Sequence, residues 1–269
     1  MSEARSIRAG AAALALALLA AACTTTTEGP VGGSRDVPTA SDQTDADRRA
    51  RVRLELATAY YARGQINTAL DEVKLALAAK PDLPEALNLR GLIYAQMGEE
   101  ALAEESYRRA LQLRPRDGDT MHNYGWLLCQ QRRWADADAQ FRTALALPQY
   151  ANGARTMLAQ GVCHARAGQW EAAEAALVRS YEADPTNPVA AVNLAEVLYR
   201  REQYERARFY IRRVNARTDL VNAQTLWLAA RIEHKLGNAG GAQVIGRELQ
   251  LRFPQSNEAL AYERGQFND

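Results

Sequence analysis

The sequence predicts an all-α protein, a solenoid of about six helix–turn–helix repeats. Three observations predict it. First, the chain repeats itself every 34 residues: Lys80-Pro81 with Arg114-Pro115, Gly64 with Gly98, Tyr60 with Tyr94, Ala69 with Ala103, and Ala76 with Ala110. A period in this range marks a stacked array whose units cannot each bury a core alone. Second, from about Ala46 the composition turns to Ala, Leu, Arg and Glu, all strong helix formers. Third, small residues, aromatics and prolines hold fixed places within the period. The small ones let two helices cross closely and the aromatic fills the space beside them. The proline cannot continue a helix, because it lacks an N–H and clashes with the preceding turn.

The register runs as follows. Repeat one, from about Ala50 to Leu83, carries Ala57, Tyr60, Gly64, Ala69, Ala76 and Pro81. Repeat two, Pro84 to Asp117, carries Gly91, Tyr94, Gly98, Ala103, Tyr107, Ala110 and Pro115. Repeat three begins at Gly118 and ends near Ala151, with Gly125, Leu128, Ala137, Phe141, Ala144 and Pro148. Repeat four, Ala154 to Asn187, has Gly161, Gly168, Ala173, Leu177 and Pro185, with Ser180 in place of the second Ala. Repeat five, Pro188 to about Val221, keeps Ala195, Ala207 and Ile211 but has no closing proline. Repeat six, about Ala223 to Ser256, has Ala230, Gly237, Ala242 and Pro254, but Gly246 where an aromatic is expected. The pattern resembles the tetratricopeptide repeat, which implies a right-handed superhelical solenoid.

Ahead of the repeats, Arg5 and Arg8 precede an apolar run of 14 residues, Ala9 to Ala22. That run is too short to span a hydrocarbon core, which needs about 20 helical residues. A positive start, an apolar stretch and small residues at Ala20, Ala21 and Ala22 describe a secretory signal. The cysteine that follows, Cys23, makes residues 1–22 resemble a bacterial lipoprotein signal, although Ala20 stands where that pattern prefers Leu. The resemblance implies that Cys23 is lipidated; plain secretion or an uncleaved anchor are the other readings. Thr24, rather than Asp, is similar to an outer-membrane sorting signal. Residues 23–45 are rich in Thr, Gly, Ser, Asp and Pro, which predicts a disordered tether. About 22 flexible residues reach on the order of 25 Å. Residues 46–269 form the solenoid.

Charge and reactive residues narrow the function. The formal net charge is +1, and without residues 1–22 it is about zero. With no basic block, nucleic acid is not expected as a partner. The three histidines, His122, His164 and His234, fall in different repeats without metal-ligand spacing, so no metal or cofactor is expected. His164 takes an aromatic place in its repeat and reads as structural. No phosphate-cradling glycine loop is present. Glu104, Glu105, Glu171 and Glu174 read as surface charges of the second helix. No enzyme and no small-molecule substrate are expected. Cys129 and Cys163 lie on the first helices of adjacent repeats at a similar height. In an oxidising compartment a bridge between them is favoured over two buried thiols.

Function then falls to the groove lined by the first helices. Its candidate contacts are Tyr61 in repeat one, Asn88 and Leu92 in repeat two, and His122 and Trp126 in repeat three. The early groove reads as apolar and polar-neutral with few cations, suited to an extended or helical segment with apolar anchors. Aromatics such as Tyr61 and Trp126 would carry a large share of affinity, unless Trp126 is merely packed between repeats.

A closer resemblance rests on specific strings. Met121-His122-Asn123-Tyr124-Gly125-Trp126-Leu127-Leu128-Cys129-Gln130-Gln131, then Pro148-Gln149-Tyr150, Gly161-Val162-Cys163 and Ala207-Arg208-Phe209-Tyr210 resemble the PilF/PilW family of type IV pilus assembly lipoproteins, over roughly residues 15 to 260. The resemblance implies a pilotin: an outer-membrane lipoprotein facing the periplasm that helps a type IV pilus secretin subunit reach that membrane and assemble into its multimer. It also implies a Cys129–Cys163 bridge. A scaffold in another envelope complex, such as β-barrel assembly or cell-wall machinery, is the alternative.

Overall fold

The computed structural model describes residues 44–267. Cys23 and nearly all of the tether lie outside the described residues. Repeat one pairs α1 (Asp45–Ala62) with α2 (Ile66–Ala79), and repeat two pairs α3 (Pro84–Met97) with α4 (Glu100–Leu113). Repeat three pairs α5 (Gly118–Gln130) with α6 (Trp134–Leu145), and repeat four pairs α7 (Gly153–Arg166) with α8 (Trp170–Ala183). Repeat five pairs α9 (Pro188–Arg200) with α10 (Tyr204–Asn215), and repeat six pairs α11 (Ala223–Lys235) with α12 (Ala239–Arg252). A short α13 (Asn257–Glu263) follows. The described residues contain no strand, and the architecture is the all-α tetratricopeptide solenoid.

The contacts between helices separate the inner face from the outer. Each first helix touches the next one along, in the order α1, α3, α5, α7, α9 and α11, whereas no two second helices approach each other. The first helices therefore line the inside of the curve and the second helices splay outside.

The small-to-large pairing within repeats is close contact. A Cβ on Gly91 would lie 2.5 Å from the Tyr107 ring, one on Gly125 2.8 Å from Phe141, and one on Gly161 2.6 Å from Leu177. Tyr107, Phe141 and Leu177 are fully buried. Repeat six solves the same problem across elements. Gly246 has no bulky side chain of its own, and a Cβ there would sit 2.0 Å from the Tyr262 ring. The aromatic missing from the repeat is supplied by α13.

Turns between paired helices need one residue in the left-handed region. Gly64, Gly98, Gly168 and Gly237 take it at no steric cost, while repeats three and five place Arg132 (φ 60°) and Glu202 (φ 59°) there. The chain enters α1 slightly earlier than the tether reading places it. The Thr44 side chain caps α1 and Asp47 reaches back to the Thr44 N–H. Lys80 Nζ donates to Asp47 Oδ1 at 2.6 Å, tying the start of α1 to the end of α2. The Lys80 and Thr44 hydrogen bonds lower the Asp47 carboxyl to a pKa of about 2.

Two of the acidic residues read as surface charges are mostly covered. Glu104, 14 % exposed, accepts from Tyr124 Oη at 2.7 Å and from Arg133 Nη1 at 2.9 Å, both from repeat three. Glu174, 13 % exposed, pairs with Arg201 and with Arg206 at 2.6 Å, both from repeat five. Burial alone would raise both carboxyls, but these hydrogen bonds and charges hold each below the usual carboxylate range. Glu105 and Glu171 are exposed. Helix phase shows which side of α4 and α8 these groups occupy; it does not show that the next repeat closes over that side.

Candidate partner-binding face

The inner face of repeats one to four is built by α1, α3, α5 and α7. Tyr61 is half-buried and packs with Leu54, Leu92 and Tyr94 against the core of repeats one and two. Leu92 is half-buried and belongs to two packing clusters, so it bridges repeats one, two and three. Asn88 accepts from Asn123 Nδ2 at 3.0 Å, which fixes neighbouring first helices by a polar contact facing the groove. Trp126 is half-buried against the cluster that holds Cys129 and Cys163. The Arg166 guanidinium carbon lies 4.9 Å from its ring centroid. Trp126 thus packs between repeats and keeps part of its surface exposed.

His122 differs from the other four. It is 5 % exposed, and its Nδ1 lies 2.9 Å from Thr156 Oγ1 on α7. Burial disfavours the charged imidazole, and the nearby Arg155 charge adds to this, lowering its pKa to about 4. A neutral, buried His122 joins repeats three and four rather than meeting a partner. Its place on α5 faces the groove by helix phase, but Thr156 of α7 and the Phe141 ring, 6.1 Å from it between centroids, lie against it, and Tyr150 from the loop after α6 reaches the same threonine. The Tyr150 Oη lies 3.0 Å from Thr156 Oγ1 and donates to Asp119 Oδ1 at 3.3 Å. A Cβ on Gly118 would meet the Tyr150 ring at 2.7 Å, so the loop between α6 and α7 lays an aromatic over the start of α5.

Cys129 and Cys163 are joined by a disulfide in the structure, with Cα atoms 5.8 Å apart. Both are buried. The bond links α5 to α7 beside Trp126. His164 is largely covered and its Nε2 lies 3.1 Å from Asp138 Oδ1, so its role is a contact between repeats three and four.

Two cations join the face that the sequence reading did not single out. Arg155 is exposed at the start of α7, and its charge acts on Tyr61, His122 and Tyr150. Arg166 lies over Trp126. In repeat four they hold the places that Asp119 and Gln130 hold in repeat three, on the same stripe of the first helix as the residues named above. Following that stripe to both ends of α7 would have found them. The face therefore combines apolar surface with the Arg155 and Arg166 charges, and with Asp119 beside Tyr150. Among the described residues, no group of three or more His, Cys, Asp or Glu is placed to hold a metal ion. No described helix is long and apolar enough to cross a membrane.

Family models described as tetratricopeptide repeat match residues 84–117, 125–188 and 164–226, and one described as TPR repeat matches 57–98. The crystal structure of PilW, described as a widely conserved type IV pilus biogenesis factor, superposes with a TM-score of 0.74 at 33 % identity, covering 79 % of this chain and 97 % of that one. The chain belongs to the PilF/PilW family of tetratricopeptide-repeat proteins. The type IV pilus assembly protein PilF of Pseudomonas aeruginosa is 25 % identical over 212 residues, which are 79 % of this chain and 84 % of that protein. A solved structure of Pseudomonas aeruginosa PilF shares the fold, with a TM-score of 0.71 at 24 % identity over 82 % of this chain and 100 % of that one. The PilF/PilW relatives are thus matched along nearly their whole length, and they are type IV pilus proteins.

Proposed function

We propose that the chain is a pilotin. Lipid on Cys23 carries it to the outer membrane. There the inner face of repeats one to four holds a type IV pilus secretin subunit and promotes assembly of the secretin multimer. The observation that carries this reading is the near-complete match to PilW, a type IV pilus biogenesis factor. The surface supports it: Tyr61, Leu92 and Trp126 offer apolar anchorage beside the Arg155 and Arg166 charges. Such a face suits a segment with apolar anchors and a carboxylate near them. The work is done by contact, and no residue of the face is asked to perform chemistry.

A photo-crosslinking side chain at position 126, in cells, tests partner and face together. The expected product contains the secretin subunit; a product containing a β-barrel assembly component instead would sink the pilotin reading. Replacing Trp126 with Ala should weaken the interaction by about 2 kcal/mol, the range of an interface anchor. Cys23→Ser should leave the solenoid folded while its partner fails to reach the outer membrane. Correct placement by Cys23→Ser would remove the lipid from the mechanism.

A further inference from the structure

The inner face continues past repeat four, and at repeats five and six it is already occupied. The occupant is the chain's own segment after α13. Gly265 adopts φ 69°, turning the backbone, and Gln266 N–H bonds Ala261 O at 2.9 Å. Phe267 is thereby laid on the groove. Its ring stacks on His234, with centroids 4.2 Å apart and planes 14° from parallel. It lies 5.2 Å from Trp227 and edge-on to Tyr262 at 5.8 Å. Tyr199 Oη donates to the Phe267 carbonyl at 3.2 Å.

The residues beneath Phe267 are those that form a peptide groove in this architecture. Trp227 and His234 occupy, in α11, the places that Asn88 and Ala95 hold in α3, and Tyr199 holds that second place in α9. The platform is also braced by contacts that do not involve Phe267. The Arg231 guanidinium carbon lies 4.8 Å from the Tyr199 centroid and 5.8 Å from that of Trp227, and Arg231 Nη2 donates to Glu196 Oε2 at 3.2 Å. The occupant is held lightly by comparison. Phe267 remains half-exposed, its neighbour His234 is exposed, and Arg264 to Gln266 face solvent. Tyr262, which completes the core over Gly246, belongs to α13 and does not need Phe267 to do so.

We propose that the inner face of repeats five and six is a second binding site, for an extended segment with a phenylalanine anchor, and that Phe267 occupies it in cis. The chemistry of the ligand is displayed by the occupant: an aromatic ring for His234 and Trp227, and a backbone carbonyl for the Tyr199 hydroxyl. A partner segment must displace Phe267, so the tail sets a threshold for binding. A segment tethered this closely has an effective concentration in the millimolar range, so weak intrinsic contacts suffice to keep it seated. The proposal is independent of the partner assigned to repeats one to four.

The test uses the chain ended after Arg264, which keeps α13 and Tyr262. The probe is a synthetic peptide of residues 264–269 (Arg-Gly-Gln-Phe-Asn-Asp), followed by tryptophan fluorescence and by NMR. The shortened chain is expected to bind it saturably, and the full chain at least tenfold more weakly. The same peptide with Ala for Phe, and a shortened chain carrying Trp227→Ala, should both fail to bind. Phe267→Ala in the full chain provides the same open site should the shortened chain not fold. No saturable binding to either opened protein up to millimolar peptide would overturn the proposal. Equal binding to opened and full chains would overturn the cis occupancy, as would a full-chain dimer formed by exchange of tails.

Discussion

Repeats two to four and repeats five and six solve the same packing problem with different chemistry. In the former, glycine on the first helix receives Tyr107, Phe141 or Leu177 from the second helix of the same repeat. The acid sits on the second helix, as Glu104 and Glu174, and the next repeat brings the arginines. In repeats five and six the sign is reversed. Arg208 and Arg212 on α10 meet Glu233, 2 % exposed, on the following first helix. The filler is also displaced, because Tyr262 of α13 covers Gly246. The comparison teaches that the geometry of the stack is constrained while the supplier of each part is not. A close helix crossing needs volume filled, and a covered charge needs an opposite one, whichever helix provides them.

The largest expected effect separates a filler inside a repeat from a borrowed one. Phe141→Ala should cost about 3–5 kcal/mol and open repeats three and four together. Tyr262→Ala should cost less, because Tyr262 is half-exposed, and should raise exchange only in α11 to α13. Hydrogen exchange resolved by helix distinguishes the two, since a solenoid opens locally. Equal, chain-wide opening by both variants would erase the distinction.

Next is the disulfide, which only the central repeats possess. Replacing Cys129 and Cys163 together by Ser should lower stability by about 3–4 kcal/mol for a closed loop of this length. The exchange increase should centre on α5 and α7, with repeats five and six little changed. Mass analysis of the non-reduced protein should find no free thiol at these two positions.

A smaller effect tests the reversed charges. Glu233→Gln should cost roughly 1–2 kcal/mol, because a nearly buried acceptor loses its charge. Glu104→Gln should cost less, since that carboxylate is 14 % exposed. Acid tests the Glu104 contact directly. Hydrogen bonds from Tyr124 and Arg133, with the Arg108 and Arg133 charges, outweigh burial and lower the Glu104 carboxyl. Its contribution is complete above the ordinary carboxylate pKa and is lost as pH falls through the lower folded value. Protection at the α4–α5 contact should therefore persist to pH values below about 4 and then fall. Loss of protection there above that range would contradict the clamp.

The smallest expected effect is a gain, and it should be equal in both regions. Arg132→Gly and Glu202→Gly relieve a left-handed residue in repeats three and five and should each add roughly 0.5–1 kcal/mol. A gain in one repeat only would show that the two turns are not equivalent.

Much of the fold was legible because its signals are local. Gly91 with Tyr107, and Gly125 with Phe141, lie within one period, so spacing alone pairs them. The groove was legible in part. Tyr61, Asn88, Leu92 and Trp126 are half-buried on the first helices that line the inner side, and Arg155 and Arg166 lie on the next of those helices, α7. His122 has the right phase and the wrong environment, because it is buried against Thr156 of α7 and Phe141 of α6. Glu104 and Glu174 err in the same direction, since phase gives a side of a helix and not what lands on it.

The sequence by itself determined the class of fold, the register of six repeats, the two cysteines at matching heights and the family. All of these are carried by a period of 34 residues or by short strings that need no distant contact. The tertiary structure alone decided that Tyr262 replaces the aromatic absent at Gly246, that Glu233 balances two arginines from another repeat, and that Phe267 lies on the inner face of repeats five and six. Each depends on which surfaces are brought together when the stack curves. That is set by the summed packing of many side chains, which no single repeat encodes.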